Sequence, residues 1–146
     1  MKNDFDLYFS YYLDQLEHEV KLYDKETDLW ITKGDIKNSA ANLVLHIIGN
    51  LNHFIGAALG HTDYIRNRDL EFEVQNISKL ELLERIQHTR QLVSDIIPHI
   101  NNLSDSFPEG FWEDTGTIHN QLLKLLSHLA YHTGQVNYHR RTVTID

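Results

Sequence analysis

Residues 40–60 read AANLVLHIIGNLNHFIGAALG, and their pattern decides the fold. Leu43, Val44, Ile47, Ile48, Leu51, Phe54, Ile55 and Ala58 recur at the steps of an α-helix and cover most of its circumference. A helix apolar on nearly every side is one that other elements surround. Its remaining stripe holds Asn42, His46, Gly49, Asn50, His53 and Gly56, which fall within about 60° of one another on a helical projection. Asn38 or Ser39 can cap the start, and Gly60 is a natural stop.

The flanking sequence supplies three partners. Residues 4–26 place Phe5, Tyr8, Phe9, Tyr12, Leu16, Glu19, Val20 and Tyr23 at helical spacing. Tyr8, Tyr11, Tyr12 and Tyr23 make this segment rich in tyrosine; such rings pack a core edge, a dimer face or a pocket wall, with their hydroxyls reaching water. Residues 27–37, with Gly34, form a linker. Ser78 followed by Glu81 is a capping box that opens another helix, carrying Leu80, Leu83, Ile86, Val93, Ile96 and Ile97 until Pro98 ends or kinks it. Residues 101–116, with Pro108, Gly110 and Gly116, read as a loop anchored by Phe111 and Trp112. Thr117 caps the last helix, which runs to about Arg141. The expectation is an all-α four-helix bundle filling one domain, residues 1–146. Residues 61–77 form a polar connection longer than the usual bundle connection of about 2–8 residues. A connection of that length can cross the bundle end and leave helices 2 and 3 parallel.

Composition removes several functions. The formal net charge is −8, so nucleic acid is not an expected partner. The one basic spot, Arg66 with Arg68, is flanked by Asp63, Asp69 and Glu71. It reads as an ion-paired loop lock, or else as a site for an anionic substrate. There is no cysteine, which excludes disulfides, thiolate metal sites and cysteine nucleophiles. Residues 1–6 are polar and lack the pattern of a signal peptide, and no stretch approaches the roughly 18 apolar residues of a membrane span. A cytoplasmic protein without a membrane partner is therefore expected.

The chain holds ten histidines, and His128 and His132 stand four apart on the last helix, where two imidazoles can share one metal ion. Ten histidines scattered at random give roughly 0.7 such pairs, so spacing alone does not name a ligand pair. Context adds weight. Gln121, His128, His132, Gln135 and His139 form one stripe beside an apolar arc of Leu122, Leu123, Leu126, Leu129 and Ala130. If that stripe faces the one around His46, three imidazoles converge; if both stripes face solvent, the histidines are decoration. His53 and His139 lie about two turns from these positions and read as a fourth ligand, a supporting partner, a general base or plain surface residues. Asn50 and Gln135 could orient a ligand or water, or bond helix to helix.

The segments Leu43-Val44-Leu45-His46-Ile47-Ile48-Gly49-Asn50 and His128-Leu129-Ala130-Tyr131-His132-Thr133-Gly134-Gln135 resemble the two metal motifs of DinB-like four-helix bundles. The runs from Gly49 to Gly56 and from Arg66 to Phe72 resemble the DUF1572 branch of that superfamily, and the likeness covers nearly the whole chain. The resemblance implies an up-down-down-up bundle and a divalent metal, zinc or nickel, on His46, His128 and His132. Thr133 stands where many relatives carry Arg, so an anion contact at that position is not carried over by the resemblance. The resemblance also implies two functions: a metal-dependent thiol (S-)transferase or hydrolase, or a non-catalytic metal-binding or stress-associated bundle. With no cysteine in the chain, a low-molecular-weight thiol would have to come from outside. No catalytic base is identified by the sequence, and homodimerisation is implied by resemblance alone.

Overall fold

The computed structural model describes residues 2–113 and 116–143, and among these it contains helices but no named strand. Five helices occur among the described residues: α1 (Lys2–Lys21), α2 (Ala40–Gly60), α3 (Arg68–Glu73), α4 (Lys79–Ile96) and α5 (Ile118–Val143). α1 packs on α4 and α5, while α2 packs on α4, α5 and the short α3. Phe9, Leu13, Leu16 and Val20 of α1 meet Val44, Ile47, Leu51 and Ile55 of α2, Leu82, Ile86 and Val93 of α4, and Leu122, Leu125, Leu129 and Val136 of α5 in one core. Each such side chain, fully buried, contributes about 1.5–3 kcal/mol over its exposed state.

α2 lies at the centre, as its composition requires, and every residue of Ala40–Leu51 is buried. Its 21 residues are long and apolar enough to cross a membrane by length and composition, contrary to the expectation that no stretch comes near that limit. Most of the helix is instead covered by the protein itself. Asn42, His46 and Asn50 are buried with it, so the polar stripe faces protein rather than water. Ser39 is the cap, its Oγ accepting from the Asn42 amide at 3.2 Å. Over Asn52–Ala57 the helix widens into a π turn, where Asn52 Nδ2 donates to Ile48 O at 2.8 Å and to Thr89 Oγ1 of α4 at 2.9 Å. The left-handed residue that ends α2 is His61, at φ 53°. Gly60 is needed for a different reason: a Cβ there would lie 2.2 Å from Ile96 Cδ1.

Other local details depart from the sequence pattern. α1 stops at Lys21; the core side chain Tyr23 follows outside it, and Leu29 comes from a separate 3-10 turn, Glu26–Trp30. Tyr8 and Tyr11 are exposed while Leu13 is buried, and Leu80 and Leu123 are exposed while Leu82 and Leu125 are buried. The long polar connection contains α3, capped by Asn67 Oδ1 accepting from the Leu70 amide. Ser78 caps α4 by accepting from the Glu81 amide at 3.1 Å, and α4 gives way to a 3-10 turn, Ile97–His99, containing Pro98. Thr117 Oγ1 accepts from the Asn120 amide at 3.2 Å at the start of α5. In the preceding loop Trp112 stacks on Phe54 with centroids 3.9 Å apart, and Phe111 lies 5.0 Å from His53. Asp114 and Thr115 of that loop lie outside the described residues.

One buried polar link ties the segment that follows α1 to α5. His139 Nε2 donates to Ile31 O at 2.8 Å, which leaves Nδ1 of the neutral ring to accept from the Tyr23 hydroxyl at 2.7 Å. Tyr23 is fully buried and His139 nearly so. Tyr23→Phe keeps the ring and strands Nδ1, so it should lower stability by about 1–3 kcal/mol. Urea unfolding midpoints at unchanged m-value would register the loss.

Candidate metal centre

Three imidazoles converge between α2 and α5. His46 Nε2 lies 2.9 Å from His128 Nε2, which lies 3.1 Å from His132 Nε2. One ring nitrogen from each of the three falls within 4.8 Å of the others. Helix geometry places His128 and His132 one turn apart on α5. The burial of α2 by its neighbours turns His46 toward them.

Two of the rings have their far nitrogen pinned. His46 Nδ1 is 3.0 Å from Glu71 Oε1. The Arg66 guanidinium lies farther from it, with Nη2 at 3.4 Å. The nearer, anionic acceptor determines the tautomer: Nδ1 carries the proton and Nε2 offers its lone pair to the cluster. His132 Nδ1 is 2.6 Å from Gln135 Oε1, which accepts in the same way and leaves His132 Nε2 as a second lone pair. His128 Nε2 stands between them.

Glu71 is held as firmly as it holds His46. Arg66 donates to it through Nε, 2.8 Å from Oε2, and through Nη2, 2.8 Å from Oε1, a two-pronged ion pair with both side chains largely buried. Burial pushes the Glu71 carboxyl up, but hydrogen bonds and charge from Arg66 and His46 outweigh it and hold it below the usual glutamate value. The segment is docked by Asn42, whose Nδ2 donates to Glu71 O at 3.0 Å and to Val74 O at 2.9 Å. The carboxylate also rests against α2 where Gly49 has no side chain: a Cβ there would lie 1.9 Å from Oε2.

The expected loop lock is therefore real for Arg66 and Glu71, and it has a third member in His46. Arg68 instead lies over the Phe72 ring, 5.6 Å from its centroid, and Asp69 is exposed. Sequence spacing missed Glu71 as a partner of His46 because 25 residues separate them. The available signal was Gly49, one turn from His46 on an otherwise closely packed helix. Gln135 does orient a ring, that of His132. Asn50 is buried with Oδ1 unpartnered among the described residues. His53 packs on Phe54 and Phe111 and is not one of the three converging rings. His139 has both nitrogens engaged elsewhere, as described above.

The donor set fits a divalent cation of borderline softness, the kind imidazole nitrogen suits. Ligands at about 2.05 Å around a tetrahedral ion stand roughly 3.3 Å apart, a small adjustment from the spacing here. Burial drives the His128 imidazole down to about 4, helped by electrostatic repulsion from any protonated form of His132 or His46 and from Arg66, and burial also lowers His132. Both rings thus favour the neutral form that a cation requires.

An all-helical protein with three imidazoles aimed at one point is the class that fold and site define. The family model described as "Protein of unknown function (DUF1572)" matches residues 6–146, and the chain belongs to that family. No curated protein and no solved structure matched it.

Two predictions follow from the geometry. In metal-free protein the folded values of His128 and His132 lie below the ordinary 6.5, so the unfolded chain takes up protons that the folded chain refuses. Their contribution to stability is present above about pH 6.5 and is lost as pH falls toward about 4. With partial exposure screening the effect, the loss should be about 1–2 kcal/mol, and His128→Gln should flatten it in denaturation curves taken across that window. Gly49→Ala should cost about 2–4 kcal/mol by displacing Glu71 from Arg66 and His46. In a Glu71→Ala background the same change should be neutral or slightly stabilising, since alanine favours the helix. A double-mutant cycle by chemical denaturation measures that coupling.

Proposed function

We propose that His46, His128 and His132 bind one divalent metal ion, zinc or nickel, through Nε2, and that the site serves a metal-dependent thiol transferase or hydrolase. The observation that carries this is the pinning of two of the three rings. Glu71 and Gln135 take up the Nδ1 protons of His46 and His132, so that lone pairs rather than N–H groups meet at the centre. Neutral imidazoles leave a bound divalent ion its full charge and open positions, and such an ion acidifies a water or thiol.

The chain's own residues divide the remaining work. Glu71, backed by Arg66, orients His46 and increases its basicity; Gln135 does the same for His132. Neither of the two candidate bases on these stripes is free for the task, since His139 is locked by Tyr23 and Ile31 and His53 packs on aromatic rings. That favours chemistry in which the metal itself lowers the nucleophile's pKa. It also keeps the non-catalytic metal-binding protein as the rival reading.

Further proposals concern the setting of the site. We place the chain in the DinB-like superfamily as one cytoplasmic domain with an up-down-down-up bundle. The side-chain pairings support that topology. Ser10 meets Ser94 and Glu17 meets Gln87, so α1 and α4 run oppositely. Phe5 meets His119 and Glu19 meets Asn137, so α1 and α5 run together. Asn52 meets Thr89 and Gly56 lies beside Leu92, so α2 runs with α4. A small-molecule thiol is the proposed partner of a transferase, and a second copy of the chain is the proposed macromolecular one.

Elemental analysis of untagged protein tests the reading. Wild type should carry about one equivalent of metal and the His128→Ala, His132→Ala double variant almost none, while Glu71→Gln should bind zinc about 10–100-fold more weakly. If wild type purifies empty and refuses both zinc and nickel, the metal reading is wrong. Loaded protein should then accelerate attack of a small thiol on an alkyl halide or epoxide, or hydrolysis of an activated ester. If it does neither, the rival reading stands.

A further inference from the structure

A cavity borders the metal centre and shares with it His132 and the Gln135 that orients that ring. It encloses about 710 Å³ between α5 and the segment leading into α2, and His132 is the one member of the cluster on its wall. That volume lies in the range of small-molecule sites, roughly 300–1,000 Å³. Its wall is mainly apolar. Ile36, Leu43, Tyr131 and Tyr138 are on it, and three of these, Ile36, Tyr131 and Tyr138, are half or more exposed.

Exposed aromatic rings at a cavity mouth are unusual in being placed rather than scattered. Tyr131 and Tyr138 stand two turns apart on α5 and so flank the same stretch of helix. Each ring has a neighbour that holds it: Tyr138 carries Arg141, with Cζ 5.1 Å from its centroid, and Tyr131 sits edge-on to His132 of the same wall at 5.2 Å. Between them Gly134 withdraws its side chain, and a Cβ built there meets nothing within 4 Å. The stretch of helix between two tyrosines is thereby left open.

The charge on the wall is as informative as its polarity. In a chain of net charge −8, the cavity wall holds Lys37 and, among the described residues, no carboxylate. The wall thus offers one cationic residue and one imidazole of the metal cluster beside its apolar side chains.

We infer that this cavity binds the non-reacting body of the substrate, and that the substrate class is a small amphiphilic anion: an alkyl or aryl body with one carboxylate or similar group directed to Lys37. The inference rests on the metal reading only for its claim that the bound molecule is a substrate; binding itself does not require the metal. The rings of Tyr131 and Tyr138 cover the body, Lys37 fixes its polarity, and the end opposite the anion comes to lie beside His132. An electrophilic or hydrolysable group would belong at that end.

The probes are decanoate and the decyltrimethylammonium cation, titrated by calorimetry and by NMR of the tyrosine rings, on protein as purified and after chelation. Decanoate should bind at least about tenfold more tightly than the cation, a difference of about 1.4 kcal/mol. It should shift Tyr131 and Tyr138 while leaving Tyr8 and Tyr11 unmoved. Lys37→Glu should reverse the preference. Gly134→Leu should lower decanoate affinity at least about tenfold without lowering the melting temperature, since leucine suits a helix better than glycine and meets no neighbour there. Equal binding of the two probes, shifts confined to other tyrosines, or undiminished affinity in Gly134→Leu would each overturn the inference. Decanoate that binds chelated protein and the His128→Ala, His132→Ala variant with the same preference supports the cavity whatever the elemental analysis finds. Metal-replete protein that ignores decanoate sinks the substrate class and leaves the metal centre standing.

Discussion

The carboxylate of Glu71 is the point on which the site depends. Taking a carboxylate out of water costs several kcal/mol, and only close opposite charge and full hydrogen bonding offset that. Arg66 supplies a two-pronged pair and His46 a third bond. Each of the three groups would be expensive where it is without the others. The chain between α2 and α4 therefore cannot wander as its length would allow. Residues 66 to 71 are drawn onto α2, α3 forms with its cap at Asn67, and Asn42 closes the junction through two backbone carbonyls. The fold of this connection and the orientation of His46 are one constraint seen from two sides.

That coupling explains a choice on α2 that packing alone would not. A helix surrounded by protein ordinarily gains from side chains that fill space, and glycine in its interior costs about 1 kcal/mol relative to alanine. Gly49 accepts that cost because the volume beside it belongs to Glu71. Gly60, at the other end, gives room to Ile96 on α4. Both glycines are set by neighbours distant in sequence, one by the site and one by the core.

Much of this was legible in the sequence where a signal is local. The apolar run of α2, the Ser78 and Thr117 caps, the stop at Pro98 and the one-turn spacing of His128 and His132 are properties of a few adjacent residues, and the structure follows them. What escaped was set across the fold. Whether Leu80 or Leu82 turns inward depends on the rotation of α4 against its neighbours, and both satisfy a helical pattern. The π turn at Asn52–Ala57 accompanies a side chain that reaches Thr89 on another helix. Glu71 reads as one acid among several in a charged run until α3 folds back. The polar stripe of α2 was visible, but not that it would face protein, since a stripe of Asn, His and Gly suits water equally well.

Histidine shows most clearly how a residue of one type acquires different roles. His132 and His139 lie two turns apart on the same helix, and both border the same cavity. An imidazole has two nitrogens, and a cation needs one of them free of protons and unclaimed. In His139 the fold claims both, giving one to the Ile31 carbonyl and the other to the Tyr23 hydroxyl, and the ring becomes a buried brace between α5 and the segment that follows α1. In His132 and His46 the fold claims one nitrogen and leaves the other pointing at the cluster. The difference lies in the partners rather than in the histidine, and those partners come from Glu71, Gln135, Tyr23 and a backbone carbonyl. Spacing along a helix can show which imidazoles are able to meet. Only the accounting of their second nitrogens separates a potential ligand from a structural link.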